Sequence, residues 1–512
     1  MFTLSRRHFL ATAASSAVTL RLHALESSAV PATLTLPAET LGPHVPEDFL
    51  GLSYEIQQLV DPKFFSTENT GLVEAFKKLS SKGVLRLGGN TSEFACWMPT
   101  ANTPEPAHPP TREVEGEPKA RYYAVRAEAV DNLAGFLQAT GWSCLYGIGM
   151  GTNTPDRAAD EAAYVAKTLG HNLQYFQLGN EVDLFDRHLR DPKTWSTETY
   201  LEEWLTLARA IVARVPDARF GLPDVASNVN WLTGVAAKWA TVENPPHITT
   251  LSHHYYFNGP ATNPAVNIPN LLKPETMVRV QQMADTATAA ANKMGVRVRM
   301  TEGNSCYRGG KPGVSDVFAA ALWSADYALY LATNNYSGIN LHGGTGRSTA
   351  DSVGGVFPGD VMLREQGLME EQVQSHPHPF YTPIGTFNGH YELQPVGYGL
   401  QFAARLNGGT LLKADLTAAL QAAGVNATAY AAKLADGSTT LIVLNKDLEK
   451  DVELTVNFGA GKHGMASVET LTAAALDSRT AQLAAGKAIR VQGGRAQIKV
   501  PHASALRLTL RG

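Results

Sequence analysis

The stretch Gln174–Phe185, QYFQLGNEVDLF, decides how the chain is read. A run of aromatic and aliphatic residues stops abruptly at Gly-Asn-Glu. An apolar run of this length closed by a glycine reads as a buried strand. Its tip delivers a carboxylate, Glu181, with an amide, Asn180, directly before it. A second stretch, VRVRMTEGNSCYRGG from Val296 to Gly310, repeats the design and ends its strand in Glu302. Strands that deliver acids at their carboxyl ends suit a (β/α)8 barrel, where chemistry gathers at that face.

Outward from these two stretches, the chain alternates between short β-rich runs and longer helical patterns. The predicted strands are FLGLSYEI, GVLRLGG, SCLYGIGM, LQYFQLGNE, RFGLPDVA, ITTLSHHYY, VRVRMTEGN and YSGINLHGG. Glycines such as Gly170 and Gly295 close the helical segments, as left-handed C-caps do. Strands alternating with helices predict an α/β fold, a (β/α)8 TIM barrel. An open doubly wound sheet is the competitor, but no glycine-rich phosphate loop follows the first strand. The GGTG at Gly343–Gly346 comes after the eighth strand and is a weak nucleotide signal.

The end of the chain has another character. Beyond Leu411 the only aromatic residues are Tyr430 and Phe458, and strands alternate with turn signals at Asp436-Gly437 and Gly493-Gly494. This predicts a small C-terminal antiparallel β-sandwich. The stretch ATLTLPAE, Ala32–Glu39, is placed to add a strand to it from the other end of the chain. The expected organisation is a leader over 1–30, a barrel over 45–406, and a sandwich made of 31–44 and 407–512. An irregular stretch, Thr345–Phe380, separates the eighth strand from its helix, and loops that long usually serve function.

Ser5-Arg6-Arg7-His8-Phe9-Leu10 matches a twin-arginine export pattern. The mildly apolar run that follows ends near Leu20, short of the ~20 apolar residues that cross a bilayer. A periplasmic or extracellular location is expected, with no membrane span. The net charge is −4, from 43 basic and 47 acidic residues, so no global basic field for nucleic acid exists. Three cysteines, Cys96, Cys144 and Cys306, are too few for a disulfide framework in 512 residues. Adjacent His253 and His254 diverge on a strand and do not predict a metal site, and no cofactor motif is present.

Glu181 on the fourth strand and Glu302 on the seventh can face each other across the barrel mouth. Two opposed carboxylates suit glycoside hydrolysis: one protonates the leaving oxygen while the other attacks the sugar carbon. A separation of ~5–5.5 Å gives retention and ~6.5–9.5 Å gives inversion.

The motifs LGNE and TEGNSCYRGG, with FLGLSYE, LRLGGN and HHYYFNG, resemble the retaining clan A glycoside hydrolases. More narrowly, they resemble glycoside hydrolase family 79, the β-glucuronidase and heparanase group. The resemblance implies Glu181 as general acid/base and Glu302 as nucleophile. It implies Asn180 on the sugar 2-hydroxyl, with Glu55 and Asn90 holding other hydroxyls. Of the adjacent tyrosines on the sixth strand, Tyr255 is expected to hydrogen-bond the nucleophile. Tyr307 and the Gly309 backbone are expected to hold a uronate carboxylate, with Tyr381 as a further donor and His342 as a lesser candidate. Arg308, where family members often carry glycine, departs from the pattern; it and Lys311 are either solvated loop charges or contacts to a second anionic group. The implied activity is exo-acting, retaining hydrolysis of a glucuronic-acid-containing carbohydrate or glucuronide. The alternatives are an endo-acting heparanase-like enzyme, a clan A enzyme for neutral sugars, and a carbohydrate-binding protein without catalysis. Oligomeric state is left open.

Overall fold

The computed structural model describes residues 29–37, 41–107, 111–387 and 389–511. The twin-arginine motif lies outside them. The eight predicted strands form and close on one another in chain order: Leu50–Glu55, Val84–Gly88, Ser143–Ile148, Leu173–Leu178, Arg219–Val225, His247–Tyr256, Arg297–Asn304 and Gly338–His342. Every neighbouring pair is parallel, and Ile339–His342 pairs with Leu50–Ser53 to complete the barrel. The first, second and eighth strands are buried along their whole length, as strands covered on both faces must be.

Helices follow the strands for reasons visible in their sequences. Pro155–Leu169 begins with proline, and the Thr154 hydroxyl accepts from the Arg157 N–H. It buries Ala158, Ala162, Val165 and Leu169 at helical spacing; each large aliphatic side chain so covered contributes about 1.5–3 kcal/mol. Gly295 ends its helix in the left-handed conformation, as expected, whereas Gly170 has positive φ but an extended ψ of −125°.

Phe318–Thr333 is buried almost all round, as a helix covered on two sides must be. One side meets the barrel. On the other, the buried Asp326 accepts hydrogen bonds from Tyr430 (2.7 Å), Thr428 (2.6 Å) and Lys446 (2.5 Å) of the C-terminal sheet.

That sheet has seven strands, in the spatial order Leu41–His44, Thr410–Leu412, Ala427–Lys433, Thr439–Asn445, Ser504–Leu510, Gly464–Thr472 and Gln482–Val491. A three-stranded sheet packs with it, and their inner faces share one apolar cluster that includes Leu34, Leu441, Leu454 and Leu508. Val30–Thr35 joins the smaller sheet, but parallel to Val452–Asn457, so the sandwich is not wholly antiparallel. A strand arriving from the far end of the chain carries no hairpin constraint on its direction.

The stretch expected to be irregular contains three short helices, Gly346–Ser352, Pro358–Glu365 and Glu370–Gln374. They enclose a small core of Phe357, Leu363, Val373 and Phe380. Among the described residues, no helix is long and apolar enough to cross a membrane.

Candidate active site

The fourth strand ends at Leu178, and Gly179 then turns the chain at a φ of 86° that other residues rarely adopt. Glu181 itself has φ 50°, an uncommon conformation for a side-chain-bearing residue. Two backbone bonds hold it there. The Asn180 N–H donates to Glu93 Oε1 (2.7 Å), and the Glu181 N–H donates to the Asp224 carbonyl (2.8 Å). Glu302 lies within the seventh strand, opposite His254 where the pairing with the sixth strand shifts register. Across the mouth, a carboxylate oxygen of Glu181, one of Glu302 and a ring nitrogen of His254 all lie within 4.8 Å of one another. Carboxylate oxygens that close can flank a single anomeric carbon.

Glu302 is buried and saturated with donors. Its Oε2 accepts from Arg86 Nη1 (2.7 Å) and its Oε1 from the Tyr256 hydroxyl (2.9 Å). Burial pushes its pKa up, but His342, His254, Arg86 and the Tyr256 bond together outweigh it and hold the carboxyl at about 2. Arg86 is the hub. Besides Glu302 it reaches Asp224 Oδ2 (2.6 Å), Asn180 Oδ1 (2.7 Å), Ser53 Oγ (3.1 Å) and Gln177 Oε1 (3.2 Å). Burial opposes its charge, yet Asp224 and Glu302 keep it firmly protonated. The glycines of LRLGGN make room for this hub: a Cβ on Gly88 would lie 2.3 Å from the Arg86 guanidinium carbon. One on Gly89 would lie 2.3 Å from the Glu55 carboxylate.

Glu181 is held differently. Its Oε1 meets His254 Nδ1 at 3.1 Å, and 17% of its side chain is exposed. His254 Nε2 faces Asp224 Oδ2 at 3.2 Å. Burial disfavours the imidazolium, but Asp224, Glu302 and Glu181 overcome it and raise the pKa to about 10. Glu181, His254 and Glu302 have the spacing of a metal-ligand set. However, His254 points both nitrogens at carboxylates, and a protonated ring offers a metal no lone pair.

Most residues named from sequence gather here. Asn180 Nδ2 donates to Asn90 Oδ1 (3.0 Å). Glu55 accepts from the Thr91 N–H (3.0 Å) and hydroxyl (2.6 Å). His342 bridges the two sides, 3.4 Å from Glu55 Oε1 and 3.6 Å from Glu302 Oε2. Tyr381 is buried with its ring 6.0 Å from that of His342 and 6.1 Å from that of Tyr256. Burial and the Glu302 charge push its hydroxyl well above its ordinary range, so it stays a neutral donor. Gly309 abuts this tyrosine's segment, its carbonyl accepting from the Phe380 N–H (2.8 Å). Tyr307 stands at the rim, 42% exposed.

Tyr255 is the exception. It is buried among Phe257 and Tyr327 beneath the Arg279 guanidinium, and Tyr256 takes the place beside Glu302. Side chains alternate along a strand. Ser252 faces inward to Gln177 and His254 to Glu181, so Tyr256 shares their side. His253 faces outward to the Tyr336 hydroxyl. The apolar Leu251 before Ser252 carried that parity signal. Sequence reasoning also missed Arg86 and His254, which lie inside the quoted motifs LRLGGN and HHYYFNG, and Asp224 and Glu93, which lie in no quoted motif. Arg308 and Lys311 are each tied to a neighbouring loop, donating to the carbonyls of Glu115 (3.1 Å) and Asn263 (3.3 Å). Cys306 is buried, its thiol pushed up to about 12 by burial, which leaves it unfit as a nucleophile.

No family model matches the chain. A β-glucuronidase of Aspergillus niger is 26% identical over 346 residues, covering 62% of each protein. One of Neurospora crassa is 24% identical over 305 residues, covering 55% of this chain and 53% of that one. The chain resembles β-glucuronidases. It spans less than two-thirds of the length of these curated relatives. Among solved structures, a 4-O-α-L-rhamnosyl-β-D-glucuronidase of Fusarium oxysporum matches with a TM-score of 0.68 at 18% identity. A family 51 arabinofuranosidase of Xanthomonas axonopodis matches at 0.64 with 15% identity. Each match covers 94% of this chain and 100% of the other. The fold is shared with these two glycosidases.

Proposed function

We propose that the chain is a retaining β-glucuronidase that releases terminal glucuronic acid. The observation that carries this reading is the pair of carboxylates. Oxygens of Glu181 and Glu302 lie within 4.8 Å, and His342, His254, Arg86 and Tyr256 hold the Glu302 carboxyl well below the usual carboxylate range. In the first step Glu302 attacks the anomeric carbon while Glu181 protonates the departing oxygen, so the glycosidic bond breaks as an ester bond to Glu302 forms. In the second, Glu181 takes a proton from water, whose oxygen displaces Glu302 and restores the β configuration. Asn180, oriented by Arg86 and Asn90, is aimed at the 2-hydroxyl, where a bond strengthens as the oxocarbenium ion develops. Tyr307, the Gly309 N–H and Tyr381 provide neutral donors for the uronate.

The similarity to two β-glucuronidases supports the choice of sugar. The likeness in fold to an arabinofuranosidase favours a neutral sugar as the second reading. A panel of aryl β-glycosides separates them. The glucuronide is expected to be hydrolysed at least ~100-fold faster than glucoside, xyloside or arabinoside. A preference for a neutral glycoside, or no hydrolysis of any, contradicts the proposal. The Ser5–Leu10 motif supports export by the twin-arginine route, to be checked by locating the mature protein and its N-terminus.

A further inference from the structure

Away from the mouth, at the amino ends of the strands, the barrel interior holds a second group of polar side chains. Tyr175 lies two residues before the inward Gln177 on the fourth strand, and Thr250 two residues before the inward Ser252 on the sixth. Arg299, on the seventh strand, is paired with Ser252 and shares its face. Tyr175 is 4% exposed, Thr250 4% and Arg299 2%. All three line a cavity of about 390 Å³, whose rim includes Asp48 and Arg219. Glycines make room for them. A Cβ on Gly338 would collide with the Arg299 guanidinium, and one on Gly221 with the Tyr175 ring.

Arg86 and Arg299 are both buried guanidiniums inside the barrel, but their partners differ. Arg86 meets two carboxylates. Arg299 donates from Nε to Asn340 Oδ1 (2.7 Å), from Nη1 to the Ser337 carbonyl (3.3 Å) and from Nη2 to the Phe49 carbonyl (3.5 Å). Among the described residues it forms no ion pair. Three of its five N–H groups are used, which leaves two. An arginine stays charged, and a buried charge is costly unless an opposite charge meets it. Asp48 lines the same cavity, but its carboxylate accepts from Gln174 Nε2 (2.6 Å) rather than from Arg299. The Tyr175 hydroxyl has a similar need. It is buried, faces Thr250 beyond hydrogen-bond distance, and finds no partner among the described residues. Burial holds its pKa above the ordinary range, so it stays a neutral donor.

We propose that this cavity binds a small oxyanion, either free phosphate or the carboxylate of a small organic acid, with the Arg299 guanidinium and the Tyr175 hydroxyl as its donors. Planar guanidinium N–H groups match the oxygens of either anion, and Thr250 offers a further hydroxyl. Arg219 attracts the anion from the rim, while Asp48 opposes it. Bound there, the anion supplies the charge opposite to Arg299 and ties the fourth, sixth and seventh strands together at the end away from catalysis. Its effect is therefore on stability, and it is independent of which sugar the mouth accepts.

The test measures thermal midpoints and calorimetric binding of the full protein with inorganic phosphate, malonate or chloride at matched ionic strength. Phosphate or malonate is expected to raise the midpoint by ~2 °C or more over chloride. Tighter binding of phosphate identifies free phosphate as the source, and tighter binding of malonate identifies an organic acid. Tyr175→Phe is expected to weaken that anion ~10-fold while leaving the anion-free midpoint within ~1 °C, because the hydroxyl it removes has no protein partner. Arg219→Gln should weaken it ~3-fold, and Asp48→Asn should tighten it ~3-fold. Arg299→Met should abolish the response; should that variant fail to fold, Tyr175→Phe and Arg219→Gln decide. No rise over chloride in wild type overturns the proposal. So does a response that survives unchanged in both Tyr175→Phe and Arg219→Gln, which would put the anion elsewhere, as at the mouth. These readouts are binding and stability, so a failure here is distinct from a failure to cleave a glucuronide.

Discussion

The two acids at the barrel mouth occupy opposite kinds of environment. Glu302 is enclosed, with a guanidinium on one oxygen and a tyrosine hydroxyl on the other. Glu181 sits on a bent strand end with one imidazole against it and part of its side chain open to solvent. Enclosure by fixed donors keeps a carboxylate charged and aimed, which a nucleophile requires. Openness on one side lets a proton carrier meet first a leaving oxygen and then water. The difference is the physical ground for the proposed roles, Glu302 as nucleophile and Glu181 as acid and base.

Exchanging each acid for its amide should break the comparison most sharply. Glu302→Gln is expected to lose ~10⁴-fold or more in kcat on every aryl glucuronide, because no nucleophile remains. Glu181→Gln should lose ~10²–10⁴-fold with a poor leaving group, but far less with dinitrophenol, which departs without a proton. Equal losses of both variants on both substrates would erase the proposed division. Arg86→Met comes next. It strands Asp224 and Glu302 without their shared cation, so a loss of about 3–5 kcal/mol in stability is expected by chemical denaturation. Activity should fall with it.

Tyr256→Phe should cost ~10–100-fold in kcat, the worth of a hydrogen bond to a buried charge, while Tyr255→Phe should change kcat by less than ~3-fold. The reverse order would restore the sequence-based expectation. The smallest effect concerns acid stability. The depressed pKa of Glu302 contributes stability that is present above its unfolded value of ~4.3 and is lost as pH falls through about 2. Urea midpoints measured between pH 6 and pH 2 should therefore fall more steeply for wild type than for Glu302→Gln. Parallel curves would mean that Glu302 titrates alike folded and unfolded.

Why these pieces differ in legibility is itself physical. The barrel could be read from the chain because short β-rich apolar runs alternate with longer helical stretches. Glu181 and Glu302 stood out because a charge at the end of such a run is costly unless it has a task. Arg86 broke the same rule inside LRLGG, but its partners Asp224 and His254 come from strands more than a hundred residues away, and only closure of the barrel brings them together. Tyr255 and Tyr256 differ by one step of strand parity, so choosing between them required following the alternation back to Leu251. The segment after the eighth strand stayed unread for another reason. Helices of eight residues or fewer carry no sustained periodicity, and their order comes from Phe357, Leu363, Val373 and Phe380 meeting only after folding.

The central claim is that one sugar carbon passes between Glu302 and water, with Glu181 attending both steps. A 2-deoxy-2-fluoro-glucuronyl fluoride slows the second step and lets the covalent intermediate accumulate. Digestion and mass spectrometry should then find the label on the peptide containing Glu302, with activity returning as the label is lost. Label on Glu181, or complete turnover with inversion and no labelled peptide, would contradict the account.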